Sequence, residues 1–242
     1  MVKSSRKPGM GKFYLLLGGI AVVAVAAMLI GGNKPKQDAF VVDPNVAVSD
    51  VQGFSIGDPN APVKVTEFAD FECPACMVFA TVTEPDVRKR LVETGQVQLT
   101  YYFFPLEQHR NAAGAAYAAA CAADQNKFWE MHDKIFFGFN DWEANVTRNP
   151  QGVFARYAAD IGLDVNTWTS CYESDKHQAL ITSHKAEGMR RGVSSTPTFF
   201  FGNLMVPGAV NYDQFKGYVD QVLSTLPKAA QPETAATPKA AP

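Results

Sequence analysis

The chain has 242 residues, of which 47% are hydrophobic and 19% are charged, and its formal net charge is −2. A chain of this length can bury one substantial hydrophobic core together with an insertion. Its near-neutral charge gives no electrostatic attraction for nucleic acid, so we expect no nucleic-acid partner.

The N-terminus carries a basic cluster followed by an uncharged apolar run over residues 13–30. A run of this length can cross a bilayer, and the basic residues before it favour a cytoplasmic location for residues 1–12. The alternative is a secretory signal peptide that is cleaved at Ala24-Val25-Ala26. We favour the uncleaved anchor because the apolar residues continue past that site to Ile30. The anchor predicts a single-pass protein of the cell membrane with its main domain on the extracytoplasmic side, in the periplasm or at the cell exterior.

Three regions follow the apolar run. Residues 31–53 combine glycine, proline and mixed charge with little periodicity, which predicts a linker. Residues 54–226 show the periodic apolar patterns of a folded domain. Residues 227–242 contain no large apolar residue and are therefore expected to form a disordered tail.

The folded region alternates between strand and helix patterns. In chain order these are a strand at 63–68, a helix from 75 to about 91 with a kink expected near Pro85, a strand at 97–104, a helical block over about 106–190, strands at 198–201 and 204–206, and a helix at 212–226. This order predicts an α/β fold in which helices flank a mixed central sheet and a helical insertion interrupts it.

Cys73-Pro74-Ala75-Cys76 lies at the junction of the first strand and the first helix. Proline suits the first helical position because its φ matches and its missing N–H would be unsatisfied there. The free N–H groups and the positive dipole end of the helix stabilise a Cys73 thiolate. A thiol with a lowered pKa is a good entry point for thiol–disulfide exchange, so the motif predicts a redox site.

A C-x-x-C pair can instead be half of a zinc site. A structural zinc site then needs a second such pair, or two histidines separated by about three to five residues. The remaining cysteines are single, and His177 and His184 are seven positions apart. We therefore expect no metal, and dithiol chemistry needs no organic cofactor.

Three motifs occur in order along residues 54–226. They are Glu67-Phe-Ala-Asp-Phe-Glu-Cys73-Pro-Ala-Cys76, an alanine-rich helix running into Cys121-Ala-Ala-Asp-Gln-Asn-Lys-Phe128-Trp129, and Gly192-Val193-Ser-Ser-Thr196-Pro197-Thr198-Phe199-Phe200. With these motifs the chain resembles the DsbA-like branch of the thioredoxin superfamily. The resemblance implies a thioredoxin-like fold and thiol–disulfide oxidoreductase activity.

The resemblance also implies roles for individual residues. Cys73 matches the exposed nucleophile and Cys76 the partly buried resolving thiol. Glu67 matches a buried acid that exchanges protons with the second cysteine, and burial would raise its pKa into a range useful for acid–base chemistry. The alternative for Glu67 is an ordinary glutamate at a sheet edge. Pro197 matches a cis-proline that faces the disulfide, and Thr196 would touch the substrate chain.

The dipeptide between the cysteines departs from the family's archetypal oxidases, which carry Pro-His where this chain has Pro74-Ala75. The missing histidine removes one group that stabilises the Cys73 thiolate, so a weaker oxidant is expected. Glu72, next to the nucleophile, is expected to raise the thiol pKa further by like-charge repulsion.

Cys121 and Cys171 fall in the helical insertion, away from the C-x-x-C motif. Two unpaired cysteines in a hydrophobic core are one interpretation. Export and an even cysteine count favour a structural disulfide instead. Such a bridge would close a loop of about 50 residues and contribute about 4 kcal/mol through loop-closure entropy.

The sequence thus predicts a protein thiol–disulfide oxidoreductase. We expect a monomer that donates disulfides to thiol-containing exported proteins and is re-oxidised by a membrane redox partner. The first alternative is a reductase or isomerase that uses the same dithiol. The second is a non-catalytic thioredoxin-like module that binds clients or a metal through the two cysteines.

Overall fold

The computed structural model of the chain describes residues 39–41 and 51–227. The apolar run at 13–30, most of the expected linker and residues 228–242 of the expected tail lie outside the described residues. Within the described ranges, no helix is both long enough and apolar enough to cross a membrane.

A six-stranded mixed sheet forms the centre of the fold. Its strands are β1 (Phe40–Val41), β2 (Phe54–Ile56), β3 (Val63–Ala69), β4 (Val97–Phe103), β5 (Thr198–Phe201) and β6 (Leu204–Pro207). They lie in the order β1-β6-β5-β3-β4-β2. Only the pair β3–β4 is parallel, and the other pairs are antiparallel. This confirms the mixed central sheet that the sequence predicts.

The central strand β3 carries the residues that lead into the C-x-x-C motif. It lies between β4 and β5, so both of its edges are hydrogen-bonded, and most of its side chains are buried. In this register Glu67 is opposite Tyr101 on β4 and Phe199 on β5. The strict alternation of a strand puts Glu67 on the same face as Val65 and Ala69. The sequence therefore places a carboxyl group inside an otherwise apolar layer.

The helix after the motif, α1, covers residues 74–92. It is α-helical at Pro74–Val78 and Glu84–Val87 and has π-helical turns at Phe79–Thr83 and Arg88–Val92. The first π turn directly precedes the turn that contains Pro85, which has no N–H to donate and interrupts regular helical bonding. The disturbance that the sequence predicts near Pro85 is therefore a change in hydrogen-bond spacing.

The insertion between β4 and β5 is helical. It consists of α2 (Ala112–Ala123), α3 (Phe128–Phe137), α4 (Phe139–Trp142), α5 (Gln151–Asp160), α6 (Val165–Glu173) and α7 (Gln178–Arg190), and α8 (Tyr212–Thr225) follows the last strand. The alanine-rich α2 is almost fully buried, since small side chains let neighbouring helices approach closely. Its core is continuous with the residues around the C-x-x-C motif.

Three short elements are absent from the sequence prediction. Strand β1 lies inside the segment expected to be a linker and pairs with β6 at Leu204 and Met205. Strand β2 pairs with β4, and α4 forms a single turn in the insertion. Elements of two to four residues are too short to show a hydrophobic period.

Candidate active site

The C-x-x-C motif occupies the junction of β3 and α1. Cys73 precedes the first helical residue with extended backbone angles (φ −80°, ψ 121°), and Pro74 takes the first helical turn. The carbonyl oxygen of Cys73 accepts the N–H of Met77 at 3.0 Å, which closes that turn. The sulfur of Cys73 therefore lies at the end of the helix where N–H groups are free.

The two cysteines of the motif differ in exposure and in acidity. Both are free thiols, and Cys73 is 7% exposed whereas Cys76 is fully buried. A hydrogen bond from the Cys76 thiol is the main cause that lowers the pKa of Cys73 to about 5, with further help from Thr196 and from backbone N–H groups, against burial. Burial, followed by the interaction with Cys73, raises the pKa of Cys76 well above its ordinary value. Cys73 is thus the thiolate and Cys76 the protonated thiol.

Thr196 and Pro197 lie beside the nucleophile although they are distant in sequence. The peptide bond between them is cis. In its protonated form, the thiol of Cys73 donates to the backbone carbonyl oxygen of Thr196 at 3.4 Å, across a separation of 123 residues. The hydroxyl of Thr196 is buried and has no hydrogen-bond partner within the described residues. The structure therefore brings together the residues that the resemblance assigns to the nucleophile and to the substrate contact.

Glu67 is buried in the centre of the sheet and is only 1% exposed, so the alternative of an edge glutamate is wrong. Burial is the main cause that raises its pKa well above 4.5, and the charge of Glu84 acts in the same direction, while Arg88 opposes both. The charge of Glu67 in turn contributes to the raised pKa of Cys76. One of its oxygens, Oε2, has no hydrogen-bond partner in the described part of the chain. Burial therefore favours the neutral form of this carboxyl group, which interacts electrostatically with Cys76.

The turn between β3 and the motif is held by a residue that the sequence analysis did not single out. Asp70 accepts the backbone N–H of Glu72 at 2.7 Å through one oxygen. Its other oxygen accepts the N–H of Leu106 at 2.8 Å and contacts Nδ1 of His109 at 2.7 Å. Aspartate bonding to the backbone two residues ahead is a recognisable turn signal, so Asp70 was detectable in principle. These bonds fix the approach to Cys73.

The raised pKa that the sequence predicts for Cys73 is wrong, since that pKa is lowered to about 5. The Glu72 carboxylate accepts the backbone N–H of Asn111 at 2.5 Å and that of Ala144 at 2.6 Å. These two N–H groups of the insertion stabilise the Glu72 carboxylate, and the hydrogen bond from Cys76 dominates the lowered pKa of Cys73. The absence of histidine at position 75 does not prevent this, because the backbone N–H of Ala75 is one of the groups that stabilise the thiolate.

Cys121 on α2 and Cys171 on α6 form a disulfide with a Cα–Cα separation of 5.8 Å. Among the described residues, they and His177 are the one group of side chains placed closely enough to hold a metal ion. Both sulfurs are already bonded to each other, which leaves the histidine as the single free ligand. The bridge therefore has a structural position in the insertion, apart from Cys73 and Cys76.

Comparisons with known proteins agree with this geometry. A family profile described as Thioredoxin matches residues 49–221. The chain is 31% identical over 225 residues to the probable disulfide bond formation protein D of Bacillus cereus, an alignment that covers 92% of this chain and 99% of that protein.

Solved structures show the same fold. BdbD from Bacillus subtilis in its oxidised form superposes with a TM-score of 0.66 at 22% identity and covers 77% of this chain and 99% of that one. The α-DsbA1 of Wolbachia pipientis has a TM-score of 0.65 at 20% identity, with 74% and 94% covered.

Some relatives are much longer than this chain. It is 32% identical over 207 residues to Na⁺/H⁺ antiporter NhaA 3 of Salinispora tropica, but it spans only 29% of the length of that protein. The matches to the thioredoxin profile and to disulfide bond formation protein D cover most of the chain. The chain therefore belongs to the thioredoxin family and is related to disulfide bond formation protein D.

Proposed function

We propose that this protein donates disulfides to thiol-containing exported proteins through Cys73 and Cys76. The observation that carries the proposal is the contrast between the two sulfurs. Cys73, at a helix N-terminus, is buried rather than exposed as expected, but it keeps 7% of its surface accessible and contacts the Thr196 carbonyl, whereas Cys76 is fully buried. The low pKa of Cys73 stabilises the reduced dithiol, and a stable reduced form makes the disulfide a stronger oxidant.

The first step is attack of a substrate thiolate on the sulfur of Cys73. A bond forms between the two sulfurs and the Cys73–Cys76 bond breaks. Cys76 leaves with the electron pair and takes a proton, for which Glu67 is the proposed donor. The raised pKa of both groups favours this transfer, because the buried thiolate is costly and the buried acid holds a proton to give.

The second step releases the product. A second substrate thiolate attacks the substrate sulfur of the mixed disulfide and expels Cys73 as a thiolate. Its pKa of about 5 makes it a good leaving group at neutral pH. The substrate has then lost two electrons to the protein, which ends as a dithiol. Substrate backbone next to Thr196 would be bound by hydrogen bonding of the strand-addition kind.

We further propose that the protein acts as a monomer outside the cytoplasm, anchored by the apolar run at 13–30. A membrane redox partner would accept the two electrons and restore the disulfide. The amino-acid pattern of the N-terminus supports the anchor, since basic residues precede the apolar run.

The direct experiment mixes the oxidised protein with a reduced, unfolded protein that contains two cysteines and follows loss of substrate thiols. We expect two thiols to disappear for each protein molecule reduced. Neither Cys76→Ser nor Cys73→Ser can form the Cys73–Cys76 disulfide, so neither variant should remove substrate thiols. If the substrate thiols persist while the Cys73–Cys76 disulfide also persists, the protein is not a disulfide donor.

A further inference from the structure

A cluster of buried polar side chains lies beneath the motif and is not used by the two-step reaction. It contains Glu67, Tyr101, Glu84 and His132, each 1% exposed or less. Five buried side-chain atoms in the described residues have no hydrogen-bond partner, and four of them belong to this cluster: Glu67 Oε2, Tyr101 Oη, Glu84 Oε2 and His132 Nε2. Buried polar atoms without a hydrogen-bond partner destabilise the fold. Their concentration in one place therefore calls for a functional explanation.

These side chains lie near one another between the sheet and the helices. Glu67 and Tyr101 are opposite each other on β3 and β4. The ring of Tyr101 packs edge-on against the ring of His132 at 5.2 Å. His132 Nε2 lies 3.8 Å from Glu84 Oε2. Glu84 is also the side chain whose charge raises the pKa of Glu67 most strongly after burial.

The outer end of the cluster reaches solvent. His132 Nδ1 lies 2.9 Å from Asp133 Oδ1 and 3.3 Å from a terminal nitrogen of Arg88; we assign Nδ1 as the donor from the shorter contact, because a carboxylate only accepts. The side chain of Asp133 is 41% exposed. Arg88 binds Asp133 with both terminal nitrogens at 2.8 and 2.9 Å and holds Glu84 Oε1 at 2.7 Å. With Nδ1 donating, a neutral His132 has its Nε2 lone pair facing Glu84.

We propose that Glu84 and His132 form a proton route that connects Glu67 with solvent. This inference rests on the proposed function, because it concerns the same dithiol. Glu67 is too buried to exchange its proton with bulk water directly. Glu84 and His132 are positioning residues here, since neither touches the reacting sulfurs.

The route balances as a series of proton transfers without electron transfer. When Cys76 attacks a mixed disulfide at Cys73, its proton passes to Glu67 and the outgoing thiolate leaves. Glu67 then passes a proton to Glu84, and Glu84 to Nε2 of His132. The proton on Nδ1 moves to Asp133 and from there to water. The gap of 3.8 Å between Glu84 and His132 requires a small side-chain movement or one bridging water at each transfer.

The structure argues against a purely structural role for the cluster. The link between α1 and α3 is already made by Arg88, which hydrogen-bonds the carboxylates of Glu84 on α1 and Asp133 on α3. Glu84 Oε2 and His132 Nε2 face each other at 3.8 Å and make no hydrogen bond within the described residues, so the link between the helices does not depend on them.

The test separates the reactions of the two cysteines. The reduced whole chain is mixed with excess 5,5′-dithiobis(2-nitrobenzoate), which releases one coloured thiolate when Cys73 attacks and a second when Cys76 resolves the mixed disulfide. We expect Glu84→Gln and His132→Gln to slow the second release about 10-fold or more near neutral pH, as loss of acid–base assistance does, and to leave the first unchanged. The double variant should be no slower than the slower single variant, because both changes break one route.

The pH profile separates a proton route from packing damage. Glu84→Gln removes a charge that raises the pKa of Glu67. The pH range over which the rate of the second release rises should therefore move to lower pH. Arg88→Gln should move it to higher pH, because Arg88 acts in the opposite direction. A loss of rate without movement of this pH range would overturn the proposal. Glu130→Gln is the matched control, since this exposed residue on α3 pairs only with Lys127 in the described structure.

The outcomes distinguish this inference from the proposed function. If Glu67→Gln slows the second release but Glu84→Gln and His132→Gln do not, the route is wrong and the disulfide donor stands. If the wild-type protein gives no second release, both fail. If the variants do not fold, a measurement on the wild-type protein still tests the proton route. In mixtures of H₂O and D₂O, transfer of several protons predicts a bowed dependence of the second rate on deuterium content, and a straight line would contradict it.

Discussion

The carboxylate of Glu72 accepts the backbone N–H of Asn111 at 2.5 Å. Asn111 immediately precedes α2, so this contact joins the active-site turn to the positive end of the buried alanine-rich helix. The side chain of Asn111 continues the link by donating to the carbonyl oxygens of Trp142 and Thr147 at 2.8 and 2.9 Å. The insertion is therefore attached to the residue next to the nucleophile.

We expect Glu72→Gln to destabilise the fold by about 1–3 kcal/mol, because its amide places a donor against one of two buried N–H groups. Urea unfolding measures this loss. The pKa of Cys73 should change little, since the charge of Glu72 is taken up by the insertion. A large fall in the pKa of Cys73 in this variant would show that the charge of Glu72 does raise that pKa by like-charge repulsion.

The hydrogen bond from Cys76 is the main cause of the low pKa of Cys73. Cys76→Ala removes the donor, whereas Cys76→Ser retains a hydroxyl that can donate. We expect the midpoint of the pH-dependent alkylation rate by iodoacetamide to be about 5 in the wild type, higher in the serine variant and highest in the alanine variant. In both variants Cys73 is the thiol that reacts with iodoacetamide, because Cys121 and Cys171 are bonded to each other. Equal midpoints in all three proteins would assign the low pKa to the helix end instead.

Glu67 should make the fold less stable as pH rises. Its folded-state pKa lies above its ordinary value of 4.5, so above that pH the unfolded chain loses a proton that the folded chain keeps. We expect Glu67→Gln to gain stability relative to the wild type as the pH rises above 4.5, with little titration difference below it. Urea unfolding across this range tests the prediction, and a difference that shrinks with rising pH would show that Glu67 is ionised in the fold.

His184 should have the opposite dependence on pH. It accepts the N–H of Phe103 at 3.2 Å through Nδ1 and donates to the carbonyl oxygen of Gln52 at 2.9 Å. Burial lowers its pKa from 6.5 to about 4, so the stability present above pH 6.5 is lost as pH falls toward 4. The loss is roughly 3 kcal/mol.

The comparison for this effect is His184→Gln, which can form both hydrogen bonds but does not titrate. We expect the acid-side slope of its stability curve between pH 6.5 and 4 to be smaller than that of the wild type. An unchanged slope would assign acid sensitivity to other groups.

The sequence predicts the helices and long strands well because their apolar periods are strong. It also identifies Cys73, Cys76 and Glu67, whose positions follow from one strand and one helix. The short strands β1 and β2 carry too few residues for a period. The sequence does not single out Glu84, His132 or Asp70. Their contacts join separate elements, and no local sequence pattern predicts such contacts. Glu72 was misjudged for the same reason, since its partners lie 39 and 72 residues away.

The reduction potential of the Cys73–Cys76 couple tests the proposed disulfide donor most directly. A Cys73 pKa of about 5, against about 7 for thioredoxin, stabilises the reduced form at pH 7 by about 2 kcal/mol, or about 50 mV for a two-electron couple. The whole chain would be equilibrated with glutathione buffers and its free thiols counted. We expect a potential at or above about −220 mV, compared with about −270 mV for thioredoxin. A value at or below that of thioredoxin would contradict disulfide donation and assign a reductase.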